Sequence, residues 1–188
     1  ISILSDEFLL EVKGMEHKNL AVELLKKLLN DEIRSRKRKN IIEARLFSEM
    51  LENSIIKYHN KSIDVIKVIE ELMELAGKMR KARDRGEELN LTEYEVAFYD
   101  ALEVNDSAVK VLGDETLREI AIELAKTIRN NITIDWTLRE NVQAKLRVAV
   151  KRILRAYGYP PDKQKKAVDT VLEQANLICR NWAEEIGK

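Results

Sequence analysis

Apolar residues return every three or four positions along almost the whole chain, the period of an amphipathic helix rather than the two-residue alternation of a strand. Ser5 is placed to cap a short helix through about Val12, which Gly14 ends. After Asn19, Leu20, Leu24 and Leu28 form one row and Ala21, Leu25, Leu29 and Ile33 the next, a broad stripe on a well-buried helix. Ile42, Leu46 and Met50, with Phe47 and Leu51 beside them, predict a further helix, and Asn53-Ser54 and His59-Asn60 are candidate breaks. A long helix is predicted from Lys61 to about Arg85, facing inward through Ile66, Ile69, Met73, Ala76 and Met79.

The run from Arg85 and Gly86 to Leu91 predicts a linker. Thr92-Glu-Tyr-Glu95 spells a capping box: the threonine oxygen takes the amide three residues on, and Glu95 reaches back to the cap amide. The helix it opens would bury Tyr94, Ala97, Phe98, Ala101 and Leu102. Asn105 and Asp106 mark a turn before a short segment ending at Gly113. Asp114 then caps a helix carrying Leu117, Ile120, Ala121, Leu124 and Ile128, which Asn130-Asn131 breaks. Ile132-Thr-Ile134 alternates like a strand but has no partner, and reads as an extended link. Asp135 or Thr137 caps the next helix, Thr137 and Glu140 forming a second capping box, and Gly158 stops it. Pro161 suits the first turn of a final helix with Val168, Val171, Leu172, Ala175, Ile178 and Trp182. Heptad spacing is not sustained, which argues against a continuous coiled coil. The expected fold is all-α: a bundle of about seven to eight helices with no significant sheet. It is either a single domain across residues 1–188 or two subdomains, 1–86 and 92–188, joined by the short linker.

Composition narrows the function classes. The formal net charge of zero gives no global attraction to nucleic acid or membrane, so any such binding rests on local patches. One cysteine, Cys179, excludes an internal disulfide and points to a reducing, cytoplasmic setting. No apolar run reaches the ~20 residues of a membrane span. The chain opens at Ile1 without a methionine or a charged n-region, and reads as a piece of a longer polypeptide.

Catalytic motifs are missing. There is no G-x-x-x-x-G-K-[ST] loop and no G-x-G-x-x-G turn. His17 and His59 lie apart, with no glutamate three residues before either, and Cys179 has no second cysteine for a zinc cluster. Glu11-Val-Lys13 and Pro161-Asp162 resemble fragments of a metal-dependent nuclease, but their order is reversed and both lie in helical contexts. No metal or cofactor is expected in this chain.

Charge patterning supplies the candidates. From Asn141 to Pro161 there are five basic residues and no acidic one. With ~100° per residue, Val142, Leu146, Val150, Ile153 and Tyr157 share one side of this helix. Arg147, Lys151 and Arg155 share the opposite side, and Lys145 and Arg152 flank the apolar stripe. The ridge would meet phosphates or an acidic protein face; the alternative is an ordinary solvated helix face. A second patch holds Arg34, Arg36, Lys37, Arg38 and Lys39. Some of these offset a helix dipole; together they read as a flexible basic elbow for nucleic acid or a partner. Trp136 and Trp182 read as packing anchors, since base stacking would need exposure and neighbouring aromatics.

Several strings together resemble a known family: Leu4-Ser-Asp-Glu-Phe8, Asn19-Leu-Ala-Val-Glu-Leu-Leu25, Phe47-Ser-Glu-Met50, Ala97-Phe-Tyr-Asp-Ala-Leu102, Ile134-Asp-Trp-Thr137 and Tyr157-Gly-Tyr-Pro-Pro161. The pattern is similar to the C-terminal helical region of the motor (R) subunit of Type I restriction–modification enzymes. The resemblance implies a parent that is an ATP-dependent DNA translocase and Type I site-specific deoxyribonuclease, with ATP and Mg²⁺ serving its other domains. It also implies partners: the methyltransferase and specificity subunits, and double-stranded DNA through the complex. This region would dock the motor onto the methyltransferase core and be inactive alone. The alternative is a helical DNA-binding or protein-adaptor module acting through the basic helix face.

Overall fold

The computed structural model describes residues 4–104, 106–131 and 140–186, with side chains for 4–104, 107–131 and 140–182. Eight helices and no strand occur among the described residues: α1 (Asp6–Gly14), α2 (Lys18–Lys37), α3 (Ile41–His59), α4 (Val65–Leu89), α5 (Glu93–Glu103), α6 (Asp106–Asn131), α7 (Glu140–Ala156) and α8 (Pro161–Ile186). The chain is therefore all-α, as its periodicity requires. It divides into two compact units, one of Ile1–Lys37 and Glu43–Arg85, the other of Arg38–Ile42 and Gly86–Lys188.

The division falls inside α4, where the sequence predicts a linker. Gly86 costs the helix only about 1 kcal/mol relative to alanine, so the helix continues through it to Leu89. The turn comes at Asn90, in the left-handed region with φ 54°. The Asn90 amide donates to the Glu87 carbonyl and the Leu91 amide to the Gly86 carbonyl, the paired bonds of a Schellman cap.

In the first unit the Ser5 hydroxyl accepts from the Phe8 amide at 3.3 Å and starts α1. The inward row of α2 is Ala21, Leu25, Leu29 and Ile33 with Val22, while Leu20 stays 56% exposed. In α3 the core takes Ala44, Phe47, Leu51 and Ser54, so Leu46 points to solvent. Ile66 of α4 is likewise exposed, and Val68, Ile69, Leu72, Leu75, Ala76 and Met79 are buried. These shifts share one cause. Two adjacent apolar rows lie only ~100° apart, and the bundle selects the row whose members pack best.

Ser54 does not break α3, because its hydroxyl donates to the Glu71 carboxylate of α4 at 2.7 Å. That bond, aided by Lys57 and opposed by burial, holds the Glu71 carboxyl below the usual glutamate range. His59 does end the helix. Lys61 follows with φ 57°, its amide donating to Tyr58 and that of Ser62 to Lys57 in another Schellman pair.

In the second unit α5 and α6 pack together, and α8 lies against both α5 and α7. Phe98, Leu102, Leu117, Ile120, Leu124, Ile128, Val150, Leu154, Tyr159, Val168 and Ile178 form its core. The Thr92 capping box is present with both bonds, Glu95 N–H to Thr92 at 3.4 Å and Thr92 N–H to Glu95 at 2.7 Å. The break expected at Gly113 interrupts α6, with φ 75° and ψ 165°. Gly158, with φ 73°, ends α7, donating to Arg155 while Tyr159 donates to Leu154. Tyr159 is buried and its hydroxyl donates to the Leu102 carbonyl at 3.1 Å, which fixes the exit from α7 on α5.

The segment Arg38–Ile42 is also held in the second unit. Gln174, fully buried in α8, accepts from the Ile41 amide at 2.9 Å and donates to the Lys39 carbonyl at 2.7 Å. Asn40 donates to Asp100 of α5 at 2.6 Å, both side chains being buried. Asn181 donates to the Arg38 carbonyl.

Candidate functional site

The described part of the basic helix is α7. Leu146, Val150 and Leu154, each four residues after the last, are buried and set its inward face. Val142, Ile153 and Tyr157 pack partly against the same core. The buried row therefore centres on Val150, with Ile153 at its edge. The expected caps Asp135 and Thr137, the link 132–134 and Trp136 lie outside the described residues.

Lys145, Arg147, Lys151, Arg152 and Arg155 are all exposed. Arg147 is not left over for a partner: its guanidinium meets Asp169 of α8 at 2.8 Å. Both side chains of that pair are about half exposed, so it adds at most about 1 kcal/mol. Lys145, Lys151, Arg152 and Arg155 have no ion-pair partner among the described residues. Between these cations sits Val148, 56% exposed, in a shallow hollow with Ala144, Lys145, Ala149 and Arg152. The outward face thus combines a small apolar centre with cationic flanks. The signal for Val148 is present in the sequence as an apolar residue off the core stripe.

The 34–39 run is not one surface. α2 extends through Lys37, so most of the run is helix rather than elbow. Arg36 is largely buried in the first unit, pairing with Glu32 at 2.9 Å and Glu43 at 2.5 Å and donating to the Met79 carbonyl at 2.7 Å. It ties α2, α3 and α4 together, because a buried guanidinium must be paired on several sides. Arg34 is 82% exposed with only a 3.9 Å contact to Asp31, and Lys37 is exposed. Arg38 and Lys39 belong to the second unit, where Lys39 pairs with Glu93 at 2.9 Å. The patch splits because Arg36 turns inward on α2, while Arg38 and Lys39 lie past the end of that helix.

Trp182 of α8 meets Tyr94 of α5 edge-on, an aromatic neighbour concealed by a separation of 88 positions in the sequence. Cys179 is buried. Among the described residues no cluster of His, Cys, Asp and Glu could hold a metal ion, and no helix is long and apolar enough to cross a membrane.

Comparison with known proteins gives a consistent result. The family model described as "Type I restriction enzyme HindI endonuclease subunit-like, C-terminal" matches residues 1–181. The "Type I restriction enzyme HindI endonuclease subunit" of Haemophilus influenzae is 39% identical over 96% of this chain and 17% of its own length. The "Putative type I restriction enzyme MjaIXP endonuclease subunit" of Methanocaldococcus jannaschii is 42% identical over 84% of this chain and 15% of its own. The chain thus spans less than a fifth of the length of these curated relatives. No solved structure matches it. Near-complete coverage by the family model, on an all-α framework, establishes that the chain belongs to the family of C-terminal regions of Type I restriction enzyme endonuclease subunits.

Proposed function

We propose that this region docks the endonuclease subunit onto the methyltransferase core of its complex, with the outward face of α7 as the contact. The observation that carries the reading is that face itself. Four exposed cations without ion-pair partners among the described residues surround the exposed Val148, on a helix anchored by Leu146, Val150 and Leu154. A surface of this composition suits a protein partner that offers acidic side chains around an apolar anchor. The parent subunit would be an ATP-dependent translocase and endonuclease in the cytoplasm, with ATP and Mg²⁺ bound outside this region.

The test is capture of the co-expressed methyltransferase and specificity subunits by the tagged chain. Charge reversal at Lys151, Arg152 and Arg155 should weaken capture at least tenfold, while Lys37→Glu leaves it unchanged. Arg147 is left out because its reversal would also repel Asp169. Equal capture by the triple variant would refute the α7 contact. ATP turnover or DNA cleavage by the isolated chain would refute the non-catalytic assignment.

The same free cations favour one other reading, direct contact of the α7 ridge with duplex DNA. In that case each removed phosphate contact lowers the log–log salt slope by about 0.9. Duplex affinity insensitive to salt would exclude it.

A further inference from the structure

We propose that the second unit carries a stacking site for an unpaired nucleobase, built from Trp182 and Arg129 and flanked by Tyr94 and Arg38. It is separate from the α7 face and does not rest on the docking assignment.

The site starts from an aromatic pair. Tyr94 and Trp182 meet at 5.0 Å between ring centroids with planes at 65°, the edge-to-face arrangement that ring quadrupoles favour. This contact, with partial burial against the core, holds the indole in one orientation. Neither ring is fully buried. The Arg129 guanidinium lies 5.7 Å from the Trp182 ring centroid. Arg129 is exposed, and a guanidinium plane stacked on one face can take a second layer on the other. Guanidinium planes and indoles both accept nucleobases face to face.

The backbone of the 38–42 segment is bonded to α8 one residue before Trp182. Asn181, the residue before Trp182, donates to the Arg38 carbonyl, and this fixes the backbone from which the exposed Arg38 side chain extends. Lys39 is adjacent, but its ammonium is engaged by Glu93, beside Tyr94. Glu93 opposes an anion, so Arg38 and Arg129 carry the attraction. A structure-only role is a poorer account of Arg129. A cation–π contact at an exposed site adds only about 0.5–1 kcal/mol, and a neutral side chain would cover the indole equally well. The ligand is a single strand because a base inside a duplex cannot present its face.

The experiment uses the full chain with Trp136→Phe, so that Trp182 is the sole tryptophan, titrated with a twelve-nucleotide oligothymidylate. Stacking should quench Trp182 emission saturably, in step with the anisotropy of a labelled oligomer. Arg129→Gln should lower affinity about tenfold, within the range of one stacked base. Arg38→Gln should reduce the log–log salt slope by about 0.7. Both substitutions are at exposed positions. Lys110→Glu, at an exposed position of α6, should leave the quenching unchanged. Absence of quenching at saturating oligomer, or full affinity in Arg38→Gln/Arg129→Gln, would overturn the site. So would equal quenching by a closed-circular duplex in which every base is paired.

Discussion

Gln174→Leu is the most direct probe of how the 38–42 segment is held. The substitution keeps side-chain bulk in a fully buried position and removes two bonds at once, to the Ile41 amide at 2.9 Å and the Lys39 carbonyl at 2.7 Å. The Ile41 amide opens α3 and is one of the donors that a helix cannot satisfy from within. Asn40 precedes it in the usual capping position and donates its side-chain amide to Asp100. Leaving a buried backbone group unsatisfied costs about 1–3 kcal/mol. Both bonds are only partly buried, so water recovers some of that, and the low end applies to each group. The expected loss is about 2 kcal/mol. In urea this lowers the midpoint at constant m. Native-state hydrogen exchange gives a sharper readout: the Ile41 amide should exchange about 30-fold faster, the factor that 2 kcal/mol implies. Asn40→Ala acts on the same segment, so the double variant should lose less than the sum of the single ones. A change below 0.5 kcal/mol with unchanged Ile41 protection, or strict additivity with Asn40→Ala, would refute the argument.

Lys61→Gly should stabilise the chain by about 1 kcal/mol in thermal or urea unfolding, because a non-glycine side chain pays for φ 57° there. Leu154→Ala should cost about 2–5 kcal/mol, and Ile153→Ala clearly less, since Leu154 is buried and Ile153 lies at the edge of the stripe; equal losses would contradict the placement of α7. Glu71 should make stability fall with acidification. Its folded carboxyl titrates below its unfolded value, so its contribution is complete above the unfolded pKa and disappears as the pH drops through the folded one. Unfolding followed from neutral pH to below the ordinary glutamate range should therefore show a shallower decline in Glu71→Gln than in the unaltered chain.

Much of the fold was legible because its signals are local. A capping box spans four residues and a Schellman turn six, so Thr92-Glu-Tyr-Glu95, the break at Gly113 and the stop at Gly158 could be read directly. The family was legible as a distributed pattern over nearly the whole chain. The division between the units falls at Gly86, where the linker is expected, but the backbone there stays helical to Leu89: Gly86 signals a break while its neighbours permit helix, and propensity alone cannot rank the two. The candidate site was read only in part. The sign and exposure of the α7 face followed from its period, but Asp169 lies 22 residues beyond Arg147, and nothing local pairs them.

The division has a physical basis. Helical period, caps and charge content depend on residues within about one or two turns of each other, and the sequence by itself determined an all-α chain with a basic amphipathic helix near its end. Tertiary structure decided which of two adjacent apolar rows turned inward, since that depends on shape matching across the core. It also decided which cations were consumed. Arg36 went to a buried network and Arg147 to Asp169, while Lys145, Lys151, Arg152 and Arg155 stayed exposed. The aromatic pair of Tyr94 and Trp182, and the Gln174 and Asn181 bonds to a segment more than 130 residues earlier, exist only once the chain has folded back on itself. No local rule carries information across that separation.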